Sequence, residues 1–161
     1  MSSHTSRSTS ELSAAERAFY SRQLILPEMG YEAQLALKRA RVVVLGAGGL
    51  GAPALLYLAG AGVGQIVVVD DDVVDVSNLH RQVIHTHARV GNSKADSAAE
   101  SLRSLNPFIE VVPVRERLTE ANVDELLSGA DVVLDGSDNF ESRYVVSAAA
   151  ARAGIPHVWA A

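Results

Sequence analysis

The chain has 161 residues, 48% apolar and 20% charged, the balance of a soluble globular protein with enough length for one domain and its core. Its net charge of −5 gives no reason for bulk attraction to nucleic acid or to an anionic membrane surface. With no cysteine, it excludes a disulfide framework and a thiolate-bound zinc site within these residues.

No apolar run approaches the ~20 residues that a membrane span needs. Residues Met1 to Ser13 are rich in Ser and Thr and lack the apolar segment of a signal peptide, so the expectation is a disordered tail on a cytoplasmic protein. From residue 14 a single domain is expected to run to residue 161. Ala14 to Gln23 reads as a short helix, Leu24 to Gly30 as an extended turn broken by Pro27, and Tyr31 to Ala40 as a second helix. An alternation of strands and helices then begins. The strand candidates are Arg41–Leu45, Gln65–Val69, Ile109–Val114, Asp131–Leu134 and His157–Ala160. Each is short and nearly continuous in apolar character, as strands are when a parallel sheet is covered on both faces. Helices are expected near Leu50–Ala61, Ser93–Leu105, Glu120–Ser128 and Phe140–Ala153, with Gly62, Gly64, Gly129 and Gly154 where they stop. The fold class expected is α/β: a doubly wound, mainly parallel Rossmann-like sheet with right-handed crossovers and an N-terminal helical extension. Because the sequence stops on the apolar His157-Val158-Trp159-Ala160-Ala161, the domain is expected to be incomplete at its C-terminus.

Glycines stand at 46, 48, 49 and 51, between the first strand and the helix that follows. A strand, a glycine turn and a helix make a phosphate site: the first glycine turns the chain and the second admits an anion to backbone N–H groups. The last lets the helix pack close, with its positive end toward the ligand. Asp70 closes the second strand at the spacing where an acid takes ribose hydroxyls, although a solvated turn beside Asp71 and Asp72 would read the same way. In Ser77-Asn78-Leu79-His80-Arg81-Gln82, an Arg and an Asn near a phosphate loop suit a triphosphate, and a surface loop with a salt bridge suits the pattern equally. Lys94 falls in the first turn of a helix capped by Asn92 or Ser93. A cation there opposes the macrodipole at ~0.3–1 kcal/mol unless an anion sits nearby or the side chain reaches into water. In Asp135-Gly136-Ser137-Asp138-Asn139, Asp138 with Glu141 fits a capping box, and a carboxylate holding Mg²⁺ is the functional alternative. His80, His85 and His87 lack the spacing of a metal site and read as surface histidines.

Together these segments resemble the ThiF/MoeB family of adenylyltransferases, which activate ubiquitin-like sulfur-carrier proteins. The matching pieces are Tyr20-Ser21-Arg22-Gln23, Gly46-Ala47-Gly48-Gly49-Leu50-Gly51, Ala61-Gly62-Val63-Gly64 and Asp70-Asp71-Asp72. They continue with Ser77 to Gln82, Val90-Gly91-Asn92-Ser93-Lys94, Asn106-Pro107 and Asp135 to Asn139, in the family's order. The resemblance implies ATP and Mg²⁺ as cofactors. Gly49 would line the phosphates, Asp70 would bind the ribose, and Asn78, Arg81 and Lys94 would contact the phosphates. Asp138 would hold Mg²⁺, with Ser77 and Asn139 in the same nucleotide site. Arg22 would reach the ATP of a partner subunit, so a homodimer is implied. The implied substrate is the C-terminal glycine carboxylate of a carrier protein, attacking the α-phosphate. Family members run on into strands that bind the carrier, and many carry two Cys-x-x-Cys pairs for zinc and a later sulfur-transfer cysteine; this chain would supply the ATP half. Three other readings remain. A nicotinamide-dependent oxidoreductase would share the glycine loop and Asp70, and a non-catalytic docking subunit would need only the fold. An enzyme adenylating a carboxylate on modified tRNA would use the same site, but the net charge of −5 is a poor match to tRNA.

Overall fold

A computed structural model of the chain describes residues 11–137 and 140–160. Its strands are β1 (Arg41–Leu45), β2 (Gln65–Val69), β3 (Glu110–Val114), β4 (Val132–Asp135) and β5 (His157–Trp159). Its helices are α1 (Ala14–Phe19), α2 (Ser21–Leu24), α3 (Gly30–Arg39), α4 (Gly51–Ala61), α5 (Lys94–Leu105), α6 (Val123–Leu127) and α7 (Phe140–Ala153). The five strands form one sheet in the order β3-β2-β1-β4-β5, with every pair parallel. The α/β, Rossmann-like expectation therefore holds.

Residue alternation along the strands divides the core into two layers. Val42 and Val44 of β1, with Ile66 and Val68 of β2, meet Ala52, Leu55 and Ala59 of α4 and Ala95, Ala98, Ala99 and Leu102 of α5. Val43, Leu45, Val67, Val69 and Val133 face the other way, onto Val123 and Leu127 of α6 and Val146, Ala149 and Ala150 of α7. The alanines let α4 and α5 lie close to the sheet, and this explains why β1 and β2 read as unbroken apolar runs. The chain order reverses direction at β1: β2 and β3 lie to one side, β4 and β5 to the other. Such a switch point opens a crevice at the carboxyl ends of the strands.

The expected helix 14–23 is instead two helices, because Tyr20 turns inward. It is 2% exposed, and its hydroxyl accepts from Nδ2 of the fully buried Asn106 at 2.8 Å. The same Nδ2 donates to the Ala59 carbonyl at 2.7 Å, while Oδ1 accepts from Phe108 N at 3.0 Å. Asn106 thus closes α5 and ties it to α4 and to the N-terminal segment. Gly62 ends α4 at φ +90°, and a Cβ there would lie 2.6–2.7 Å from Gln34 and Tyr20. Order also begins before residue 14, within the segment expected as a tail. Leu12 is 1% exposed, and Ser13 forms a capping box with Glu16, Oγ accepting from Glu16 N at 3.1 Å. Burial works against the Glu16 charge, but Lys38 at 2.8 Å and the Ser13 bonds outweigh it and hold this carboxyl below its ordinary range. Residues 1–10 lie outside the described residues.

The remaining boundaries shift by small, local chemistry. Asp131 stays out of β4 because its carboxylate accepts from Arg41 N at 2.7 Å. Asn122 accepts from Thr119 N at 2.8 Å, so α6 begins at Val123 rather than Glu120. Among the described residues no helix is long and apolar enough to cross a membrane.

Candidate functional site

A cleft of about 530 Å³ opens where β1, β2 and β4 end, and it gathers residues that lie far apart in sequence. Gly46, Gly48, Gly49, Asp70, Arg81 and Lys94 all line it. Gly46 leaves β1 at φ +87°, a left-handed conformation that favours glycine. A Cβ on Gly51 would lie 1.8 Å from the Gly46 carbonyl oxygen, so the start of α4 can come this close only without a side chain. Gly48 and Gly49 differ: a Cβ on either meets only the Gln82 or Arg81 side chain, at 3.6 and 3.8 Å. Their outer faces are open to the cleft. The turn after β4 meets this loop through backbone, since a Cβ on Gly136 would lie 3.1 Å from Gly51 N. Asp135 orders that turn, its Oδ1 accepting from Ser137 N at 2.9 Å and Ser137 Oγ at 2.6 Å.

The three successive aspartates take three separate tasks. Asp70 Oδ2 accepts from Ala47 N at 2.7 Å and its Oδ1 from Asp72 N at 2.9 Å, so the acid expected at the ribose also grips the glycine loop. Each carboxylate oxygen keeps a second acceptor direction. Asp71 pairs with Arg117 at 3.1 Å. The Asp72 carboxylate pairs with Lys94 Nζ at 3.0 Å, and the Asp72 backbone carbonyl accepts from Lys94 N at 2.9 Å. The cation at the start of α5 is therefore compensated within the chain. Sequence alone weighed only an external anion or an escape into water for it. The Lys94 side chain is 8% exposed against 66% for Asp72, which places the lysine inside the cleft wall and its carboxylate at the rim.

The model of the ThiF family matches residues 20–161. This chain belongs to the ThiF family. It is 57% identical over 150 residues to the probable adenylyltransferase/sulfurtransferase MoeZ of Mycobacterium tuberculosis, covering 93% of this chain and 38% of that protein. It is 53% identical over 150 residues to the SAMP-activating enzyme E1 of Haloferax volcanii, covering 93% and 56%. With the sulfur carrier protein adenylyltransferase of Thermus thermophilus the figures are 53% over 142 residues, 88% and 52%. The ThiF chain thus spans between about two-fifths and just over half of these relatives. Among solved structures, the tRNA N6-threonylcarbamoyladenosine dehydratase TcdA of E. coli, in complex with ATP, superposes with a TM-score of 0.86 at 32% identity. That match covers 91% of this chain and 60% of the other.

Other expected site residues of this ThiF domain stand apart from the cleft wall. Ser77 and Asn78 form a short 3₁₀ turn, Val76–Asn78, capped by Asp75, whose Oδ1 accepts from Ser77 N at 2.7 Å. The Asn78 carbonyl accepts from Arg81 N at 3.1 Å and Gln82 N at 3.0 Å, so this turn carries Arg81 and Gln82 to the cleft. Arg22 is exposed on α2, between the buried Tyr20 and the Gln23 that donates to the Ala61 carbonyl at 3.1 Å. Asp138 and Asn139, expected at Mg²⁺ and nucleotide, lie outside the described residues. Among the described residues, no group of three or more His, Cys, Asp or Glu side chains could hold a metal ion.

Two residues of the site escaped sequence reasoning. Gln82 lies within the Ser77–Gln82 motif, where residue type alone assigns it no task. It is 4% exposed beside Gly48, and its Oε1 has no hydrogen-bond partner among the described residues. His85, read as a surface histidine, is 5% exposed. Its ring bridges Ser97 Oγ at 2.8 Å and the Ala47 carbonyl at 2.9 Å. Burial, with Lys94 and Arg89 nearby, holds it below the ordinary histidine value, against the Ala47 carbonyl and Asp70. The available signal was its place beside Ile84, itself buried. His80 and His87 are exposed, as read.

Proposed function

We propose that this chain forms the ATP-binding half of an enzyme that adenylates the C-terminal glycine carboxylate of a ubiquitin-like sulfur-carrier protein. The observation that carries the reading is the meeting of Gly48, Gly49, Asp70, Arg81 and Lys94 around one cleft at the topological switch point. Relatives named as adenylyltransferases, at 53% identity and above, support the reaction class. The ATP complex of TcdA supports the nucleotide.

In this reading the phosphates lie over Gly48 and Gly49, at the N-terminus of α4, where backbone N–H groups and the helix dipole favour negative charge. Asp70 takes the ribose hydroxyls and Arg81 and Lys94 serve the phosphates, while Asn78, outside the cleft wall, holds Arg81 in place through its carbonyl. Mg²⁺ takes few protein carboxylates at a phosphate site, and Asp138 would be the residue to hold it. Bound there, the ion would offset phosphate charge.

A carrier's terminal carboxylate has a pKa of ~3.5 and is ionised at neutral pH, so attack needs no general base. One carboxylate oxygen forms a bond to the α-phosphorus. The bond from that phosphorus to the bridging oxygen breaks, and pyrophosphate leaves with the electron pair. The barrier is the approach of one anion to another. Arg81 and Lys94 lower it by sitting where negative charge builds up, an effect for which removing one group can cost ~10²–10³ in rate.

The family resemblance, with Arg22 exposed on α2, supports a homodimer in which Arg22 would reach the partner's ATP. Molybdopterin and thiamine routes both use carriers of this class, and a cytoplasmic setting fits either. Calorimetric titration of the chain with ATP·Mg²⁺, with NAD for comparison, tests the reading. Saturable ATP binding that Lys94→Ala weakens by about tenfold or more supports it, whereas binding of NAD alone would sink it. Carrier-dependent pyrophosphate exchange then tests the chemistry.

A further inference from the structure

Resting on the ATP reading above, we propose that His85 is a positioning residue that sets the orientation of the glycine loop and couples it to the helix bearing Lys94. The tautomer follows from the partners. A carbonyl oxygen can only accept, so the ring nitrogen 2.9 Å from the Ala47 oxygen, Nε2, carries the hydrogen. In the neutral ring Nδ1 is then the acceptor, and the Ser97 hydroxyl donates to it at 2.8 Å.

Ala47 is the one residue in the run from Gly46 to Gly49 that bears a side chain, and it is wholly buried. It is held from both ends: Asp70 accepts from its N–H at 2.7 Å, and His85 donates to its carbonyl. In a trans peptide the carbonyl and the following N–H point to opposite sides of the chain. Holding the Ala47 carbonyl toward the interior therefore turns the Gly48 N–H away from His85. Gly48 itself lines the cleft. Without His85 that peptide plane is free to rotate, and a rotated plane presents an acceptor to an incoming anion in place of a donor.

The second bond extends the effect. Ser97 lies three residues after Lys94 on α5, on a neighbouring position of the helix surface. The chain Ala47–His85–Ser97 thus links the phosphate loop to the first turns of α5 through buried, directional contacts. Neither Ala47 nor Ser97 can move without breaking a hydrogen bond in a site too dry to replace it.

The test compares ATP·Mg²⁺ affinity by calorimetry in the full chain and four variants. His85→Gln retains an amide donor at the Nε2 position, His85→Asn places its amide only at the Nδ1 position, His85→Phe fills the space without polar groups, and Ser97→Ala removes the second bond. The expected result is a loss of about tenfold or more for Phe and Asn, and recovery to within about threefold by Gln, the scale of one buried hydrogen bond. Ser97→Ala is expected to fall between the wild type and His85→Phe. The ¹⁵N spectrum of the ring is expected to show the Nε2–H tautomer. Wild-type affinity in His85→Phe, equal affinities for Gln and Asn, or an Nδ1–H tautomer would each overturn the inference while leaving the ATP reading intact. A wild-type chain that fails to bind ATP overturns that reading and this inference with it.

Discussion

At Lys94 two demands on one side chain meet. Its place in the first turn of α5 is opposed by the helix dipole, and Asp72 offsets that cost from the rim of the cleft. A phosphate at the same point would share the ammonium with Asp72. Lys94→Ala and Arg81→Ala are each expected to lower ATP affinity by about ten- to a hundredfold, the range of one charge-assisted hydrogen bond, measured by calorimetry. Unchanged affinity in both would remove them from the phosphate site. Gly51 is a purely steric case. Gly51→Ala places a methyl group 1.8 Å from a backbone oxygen, and an expected loss of at least about 3 kcal/mol should appear as a lower urea midpoint. His85 adds a pH dependence. Its value in the folded chain lies below 6.5, so the native state binds fewer protons than the unfolded chain. The stability it contributes is complete above pH 6.5 and is lost as the pH falls below it. His85→Gln should flatten the urea midpoint across that window, and an unchanged slope would refute the assignment.

The strands and long helices were legible because each is written in a local pattern. Arg41–Leu45, Gln65–Val69 and Phe140–Ala153 were expected with the bounds observed. Runs rich in valine have one stable use, a strand covered on both sides, and the alanines of α4 and α5 supply the cover. The N-terminal helix was less legible, since its break at Tyr20 depends on Asn106, 86 residues away in sequence. The same long reach makes α5 the element on which the layer depends. Leu102→Ala, at a wholly buried position in α5, is expected to cost about 2–5 kcal/mol in chemical denaturation. A loss below about 1 kcal/mol would mean that the α5 layer packs loosely.

For the whole molecule, the homodimer proposal turns on Arg22. Arg22 is exposed, and the cleft wall of its own chain does not include it. If it completes a partner's site, equal mixing of Arg22→Ala and Lys94→Ala chains should restore about a quarter of the wild-type ATP sites. Half of the randomly paired dimers are then mixed, and each mixed dimer has one intact cleft. Calorimetric stoichiometry reads this directly, and no recovery would leave Arg22 outside the nucleotide site.

The ordered motifs and the strand–helix alternation determined the fold, the family and the glycine loop at the cleft, because glycine turns and apolar periodicity act over a few residues. Only the tertiary structure decided the partners of the polar side chains. That Asp72 compensates Lys94, that Asp70 and His85 hold Ala47 from opposite ends, and that Asn106 anchors Tyr20 each depend on segments 22 to 86 residues apart coming within hydrogen-bond distance. Hydrogen bonds and ion pairs are directional and short-ranged, so they exist only after the sheet has set the distances, and a linear pattern of residue types carries no trace of them.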